Sequence, residues 1–464
     1  MTSTATTQPD LDRLRDTLAG RLIRPDDAEY DAMRRIVLGG VDPRPAAIAR
    51  VANDDDVATI IRWVRDTGVP FAVRSGGHSG AGHGSVDGGL VLDLRDLGTL
   101  EIDPDGTAAW ADAGLTAGQV TERLAERGLV VGFGDTGSVG IGGLTLGGGV
   151  GYLVRKHGLT IDNLLAVDLV TADGARRRVD ADHDPDLFWA LRGGGGNFGV
   201  ATRFRYRLHP LQQMVGGILV LPATAETVEG FLRLSAEAPD ELTTIANVMT
   251  CPPMPMVAEE HHGSTVLFGM LCWSGEVAAG ERQLEAFRAL AEPLADLTAV
   301  QPYAALFPPE DGDYHPTAAA RTMFLDHVDR DLAATIVDRL DSADAPFRAV
   351  QLRVLGGASA RVAPDATAYA HRTSRMMANV AAFYEGDDDR PAKEAWVAEV
   401  CRELHQGDDG AYVNFVADEG PERVRAAYPG PTWDRLLEIK RRWDPDNLFR
   451  RNQNVAEPVA EPTP

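Results

Sequence analysis

Residues 73–80 read Val-Arg-Ser-Gly-Gly-His-Ser-Gly and follow the apolar run Val69-Pro70-Phe71-Ala72. Glycines at 76 and 77 let successive backbone N–H groups converge without Cβ clashes, which makes a concave, anion-binding turn. His78 sits inside that turn, flanked by the small hydroxyls of Ser75 and Ser79. An imidazole there can reach any group that lies against the backbone.

Two more glycine-dense loops follow, over residues 132–151 and 193–199. Both contain the G-x-G-x-x-G spacing (Gly132, Gly134, Gly137; Gly194, Gly196, Gly199). Neither predicts a nicotinamide site. The first runs on into Ser138-Val139-Gly140-Ile141-Gly142-Gly143, too glycine-rich for a stable helix, and a dinucleotide pyrophosphate needs a helix start there. The second precedes a strand, the reverse of the required order. Each glycine costs conformational entropy, so three such loops predict a cofactor lying along the backbone.

Metal chemistry is not expected. His261-His262 is a dipeptide whose rings do not converge on one ion, and Asp387-Asp388-Asp389 lacks the spaced ligands and turn glycine of a calcium loop. Cys251, Cys272 and Cys401 stand far apart and read as buried thiols, with neither a metal pair nor a disulfide framework.

The elements that position the loops follow from periodicity and caps. The sequence predicts a frayed tail over the first dozen residues and an amphipathic helix over 11–22. A strand over 46–51 comes next, then a helix to Thr67 capped by Asn53-Asp54-Asp55-Asp56. Strands are expected at 71–73, 90–94, 164–171 and 200–208, with helices at 116–127 and 184–191. Beyond Gly217 glycine thins. Helical stretches (224–238, 280–292, 330–342, 390–405) then alternate with strand-like ones (265–273, 349–355, 376–384), which predicts a separate α+β lobe with a sheet as platform.

The chain has 464 residues, more than one ordinary core, 44% apolar and 25% charged. Its 45 basic and 69 acidic residues give a net charge of −24, which argues against nucleic acid and anionic membranes as partners. The first ten residues lack the basic and apolar regions of a signal peptide, and no apolar run is long enough to span a membrane. A cytoplasmic protein is the expectation.

Taken together, the motifs resemble those of the berberine-bridge-enzyme-like, FAD-linked oxidases with the vanillyl-alcohol-oxidase (PCMH-type) flavin fold. The resemblance rests on Arg74-Ser75-Gly76-Gly77-His78-Ser79, the run Val139 to Gly151, Arg155-Lys156-His157-Gly158-Leu159, Asp162-Asn163 and Gly193 to Val200. It extends to Tyr412-Val413-Asn414-Phe415, Trp443 to Phe449 and Asn452-Gln453-Asn454, and so covers nearly the whole chain. Within the family, the chain resembles bacterial members of the D-6-hydroxynicotine oxidase type and natural-product tailoring oxidases.

The resemblance implies an α+β protein. A PCMH-type FAD-binding domain (38–211) would follow an N-terminal tail and helix (1–37). A substrate domain with an antiparallel sheet flanked by helices (212–410) comes next, and a C-terminal segment (411–464) returns to the FAD domain. It implies FAD bonded covalently to His78. Many members add a thioether from a cysteine three residues before the Val-Gly-x-Gly-Gly run; Thr136 stands there, so attachment would be monocovalent. Arg74, Ser75, Gly76, Gly77, Ser79, Asp135, Thr136, Ser138, Val139, Gly143, Gly149, Val200, Tyr412, Asn414 and Asn454 fall in FAD-contacting stretches of the family. Val139 matches a position that influences oxygen access.

The implied reaction is hydride transfer from a small alcohol, amine or secondary-metabolite intermediate to the flavin, with O2 as acceptor giving H2O2. Tyr412 matches a tyrosine near the flavin, and His371 is a second catalytic candidate. The second tyrosine of plant relatives is replaced by Val150, which leaves the base open. The alternatives are a dehydrogenase using another acceptor and an inert flavoprotein that sequesters a small ligand. The expected partners are a small-molecule substrate and O2, and the expected assembly is a monomer or homodimer.

Overall fold

A computed structural model describes residues 10–307 and 315–456. Most of the expected N-terminal tail lies outside these residues. The expected helix over 11–22 is shorter: it spans Leu11–Thr17, and the chain then enters a strand, Arg21–Ile23. Asp56 explains the break, because its carboxylate accepts the N–H groups of Ala19, Gly20 and Ala52 and ties this turn to the start of the next helix.

That next helix, Asp54–Thr67, begins as its sequence requires. Asn53 accepts the Asp56 N–H, acids fill the first turn, and Gly68 closes the end in the left-handed region. It connects two parallel strands of a four-stranded sheet, ordered Arg21–Ile23, Ala47–Arg50, Leu90–Asp93, Phe71–Arg74. A five-stranded antiparallel sheet lies beyond, ordered Leu100–Ile102, Ala108–Asp112, Val200–Arg207, Leu164–Val170, Arg176–Asp180. One core cluster serves both sheets and takes in the C-terminal residues Trp433, Leu436, Phe449 and Val455.

The region from Met214 folds as an eight-stranded antiparallel sheet. Helices Ala225–Glu237, Val277–Arg288, Arg330–Asp341 and Arg390–Leu404 cover one face through Phe231, Phe287, Ile336 and Val400. Strand alternation sends neighbouring side chains to opposite faces. In Arg348–Val354, Val350, Leu352 and Val354 enter this core, while Gln351 and Arg353 turn the other way, toward the glycine loops.

Buried arginines join the two halves. Arg155 donates to the carbonyls of Leu355 (2.7 Å) and Ala238 (2.6 Å), and Arg372 forms a two-pronged pair with Asp162 at 2.8 Å. The C-terminal segment is knitted to the third glycine loop. Lys440 donates to the Asn197 carbonyl and to Asp444, and Asn197 bonds Gln453 and Val455 in turn.

The stretch expected to be too glycine-rich for a helix contains one, Ile141–Gly147. Packing outweighs propensity here. A Cβ on Gly140 would stand 2.1 Å from the Gly76 nitrogen, and one on Gly76 would stand 2.2 Å from the Gly140 nitrogen. These glycines exist because two loops touch backbone to backbone.

Candidate functional site

The three glycine loops, the inner edge of the central sheet and the C-terminal segment enclose one cavity of about 470 Å³. Loop residues 75–79 form one wall and residues 134–136, 139, 140 and 142–144 a second. Gly195, Gly196 and Gly199 to Ala201 line another part, Tyr412 to Val416 and Leu448 to Gln453 close the rear, and Gln351 with Arg353 form a roof.

Strand pairing fixes the first loop. Arg74 is in register with Asp93, and their side chains make a buried ion pair at 2.9 Å. Arg74 also donates to the carbonyls of Met33, Arg34 and Arg35, so its side chain holds the loop's base. Burial lowers its pKa to about 10, still charged at neutral pH; burial opposes ionisation of Asp93, but its bonds to Arg95 and Arg74 bring the carboxyl below the usual range. Ser75 donates to the Ala113 carbonyl at 2.6 Å and accepts the Gly142 N–H, joining the first and second loops. Gly77 takes the left-handed conformation (φ +77°) that turns the chain toward His78.

His78 meets the second loop directly: its Nε2 lies 2.8 Å from Ser138 Oγ. Ser79, Asp135, Thr136, Val139, Gly143 and Val200 line the same cavity. A Cβ on Gly143 would meet nothing within 4 Å, so that backbone is open to a ligand. On the roof, Arg353 donates to Asp135 (2.6 Å), to the Gln351 amide oxygen and to the Val150 carbonyl, and its guanidinium lies over Phe415.

At the rear, the buried Tyr412 oxygen accepts the Gly149 N–H and the Asn414 amide N–H, each at 2.9 Å. Burial raises the phenol pKa against the lowering effect of those bonds, so Tyr412 is protonated at neutral pH. Asn414 also donates to the Leu144 carbonyl, and Gly149 stands behind the tyrosine with φ +78°. Asn454 lies beside this wall without lining it, its Oδ1 buried and lacking a hydrogen-bond partner.

His371 is not brought to the cavity. It is buried against Phe324, with Nε2 3.1 Å from the Ala427 carbonyl, and burial lowers its pKa. The sequence reading missed His83, Gln351 and Arg353, and quoted Phe415 only within its C-terminal motif; all four line the cavity. Period-two alternation in 348–354 was the available signal for the roof pair, and Gly82-His83-Gly84 carried the signal for His83.

The cavity fits a long, polar, partly aromatic cofactor. Its walls are backbone-rich glycine loops, Gly143 is open, and His83 Nε2 and Asn452 Oδ1 are buried without hydrogen-bond partners. Among the described residues there is no cluster of metal-ligating side chains, and no helix is long and apolar enough to cross a membrane.

Comparison with known proteins points the same way. Residues 45–180 match the FAD binding domain model, and residues 411–456 match the model described as berberine and berberine like. The chain is 31% identical over 462 residues to (R)-6-hydroxynicotine oxidase of Paenarthrobacter nicotinovorans, covering 95% of this chain and 97% of that one. The crystal structure of 6-hydroxy-D-nicotine oxidase from Arthrobacter nicotinovorans superposes with TM-score 0.84 at 27% identity, over 98% of this chain and 100% of that one. Glucooligosaccharide oxidase of Acremonium strictum, described with a 6-S-cysteinyl, 8α-N1-histidyl FAD, shares the fold at 22% identity and TM-score 0.78, over 94% of this chain and 96% of that one.

Proposed function

The chain belongs to the berberine-bridge-like, PCMH-type FAD-linked oxidases, and we propose that within this family it holds FAD by one covalent bond, from His78, and passes electrons to O2. The observation that carries the reading is the meeting of His78 with Ser138 at 2.8 Å across two backbone-rich loops. A histidyl bond to FAD is described for glucooligosaccharide oxidase, and Thr136 here offers no thiol for a second one.

When bound, FAD supplies a two-electron acceptor for a C–H bond next to a hydroxyl or amine. The chain's own part is to cradle, orient and move a proton. Ser75, Gly76, Gly77, Ser79, Gly143 and Val200 shape the cradle, with Arg74 bracing it. Gln351, Arg353 and Asp135 form the roof under which the substrate lies. Tyr412, protonated at neutral pH, would donate a hydrogen bond that orients the substrate's oxygen or nitrogen, and would take up the proton lost on oxidation only after giving up its own. Val139 lines the cavity where oxygen would approach.

The test is a peroxide assay of the purified protein with secondary alcohols, sugars and hydroxylated N-heterocycles, (R)-6-hydroxynicotine among them. Peroxide formed in step with loss of one substrate supports the reading. Rapid anaerobic bleaching of the flavin by that substrate, followed by slow return under air, would instead identify a dehydrogenase.

A further inference from the structure

A row of amides crosses the inner face of the central sheet. Asn247 and Gln351 stand directly opposite each other in register, so their side chains share a face, and Gln351 lines the cavity. Hydrogen bonds fix which way each amide points. Arg353 can only donate, and its Nε and Nη2 lie 3.0 and 2.7 Å from Gln351 Oε1. The amide nitrogen of Gln351 therefore faces Asn247, whose Oδ1 it meets at 2.8 Å. Asn247 in turn donates to the Phe268 carbonyl, a group that can only accept. A donor-only group at one end and an acceptor-only group at the other leave a single orientation for both amides.

What these bonds leave over decides the ligand. Arg353 takes both lone pairs of Gln351 Oε1, while one of the two hydrogens on Nε2 has no acceptor among the described residues. Tyr412 on the rear wall is in the same condition. Its oxygen accepts two N–H groups, which fills both acceptor positions, and its own hydrogen has no acceptor among the described residues. One dipeptide links the two walls: Tyr412 holds the Gly149 N–H, and Arg353, beside Gln351, holds the Val150 carbonyl. The cavity thus has unspent donors on two walls. Asp135 is the one carboxylate among its described lining residues, and Arg353 at 2.6 Å balances that charge.

We propose that Gln351 sets substrate choice: its free amide N–H donates to a carbonyl or ring-oxo oxygen of the substrate, and the site selects molecules with such an acceptor over amines that are protonated at neutral pH. The assignment rests on the FAD-site reading above and names the substrate class within it. Gln351 acts as a hydrogen-bond donor that orients the substrate and takes no proton from it.

The test uses the purified holoprotein and reads the change in flavin absorbance on ligand binding. Two probes of similar size are titrated at neutral pH: N-methyl-2-pyridone, which only accepts, and benzylammonium, which only donates. In the wild type the pyridone should bind about tenfold more tightly than benzylammonium. Gln351→Glu keeps an oxygen for Arg353 but replaces the free N–H by lone pairs. It should weaken the pyridone by about five- to tenfold, the loss of one hydrogen bond, and strengthen benzylammonium, which reverses the order. Gln351→Leu should lose the pyridone to a similar degree and leave benzylammonium as it was, whereas a merely structural role would weaken both probes alike. No response to the pyridone in the wild type, equal affinities, or a pyridone affinity unchanged in both variants would overturn the assignment. Tighter wild-type binding of benzylammonium would also overturn it and make Asp135 the recognising group. Protein that carries no flavin band and takes up no FAD would overturn the FAD-site reading itself; flavin-loaded protein without the preference would overturn the role of Gln351 alone.

Discussion

Arg353 of the central sheet stands 2.6 Å from Asp135 of the second glycine loop, with side chains 5% and 20% exposed. This ion pair fastens the central sheet to the second glycine loop. Every side-chain nitrogen of Arg353 is committed, to Asp135, Gln351 or Val150. The guanidinium is therefore a fixed part of the roof, and Asp135 balances its charge.

Breaking one side of such a pair leaves the other charge buried and uncompensated. Arg353→Gln should lower the unfolding free energy by about 3 kcal/mol. Asp135→Asn should cost less, since its amide oxygen still accepts from Arg353. Urea denaturation of the holoprotein measures both, and equal, negligible losses would show that the pair contributes nothing to joining the halves.

Tyr412→Phe removes the acceptor for the Gly149 N–H and the Asn414 amide. Flavin reduction under anaerobic conditions should slow by about 10²-fold, the scale of a lost proton-transfer group. His371→Asn should leave the reduction rate unaltered, because His371 is packed on Phe324 away from the cavity. Stopped-flow absorbance at the flavin band reads both; an unaffected rate in Tyr412→Phe would remove Tyr412 from catalysis.

Thr136 lines the cavity, and by the family resemblance it stands in for the cysteine of doubly linked members. Thr136→Cys should therefore acquire a second bond to the flavin. A tryptic digest would then show one flavin joining the peptides that contain residues 78 and 136. Flavin on the His78 peptide alone would mean that this loop does not approach the ring.

Burial lowers the pKa of His83 to about 4 and of His157 to about 3, and also depresses His209 and His371. These rings are neutral when folded and take up protons more readily when unfolded, near pH 6.5. Between pH 6.5 and 4 the unfolded chain binds more protons, so stability falls as pH falls. The His83 share is roughly 3 kcal/mol at pH 4. Denaturation midpoints at pH 7, 6 and 5 should decrease in order, and less steeply in His83→Asn. A flat profile would contradict the burial of these rings.

Much of this site was legible in the sequence, for a physical reason. Glycines at 76, 77, 140 and 143 mark backbone that must bend or be approached closely, and such demands are local and leave a mark in composition. The strand Thr265–Trp273 and the helix Pro185–Leu191 were readable for a similar reason, through an apolar run and an Asp-Pro start. The helix Ile141–Gly147 was not, because its stability comes from contact with Ser75 and Gly76 more than sixty residues away. The roof was hidden likewise. Gln351 and Arg353 look like ordinary polar residues until the sheet turns them toward Asp135. His371 shows the converse error: a histidine beside an arginine suggests chemistry, yet burial and a carbonyl hold it elsewhere.

The most direct test of the account is the intact mass of the denatured protein, compared with its His78→Ala variant. The account predicts the chain mass plus one FAD, less two hydrogens, for the wild type and the bare chain mass for the variant. A bare chain in both would contradict it, as would flavin retained after His78 is removed.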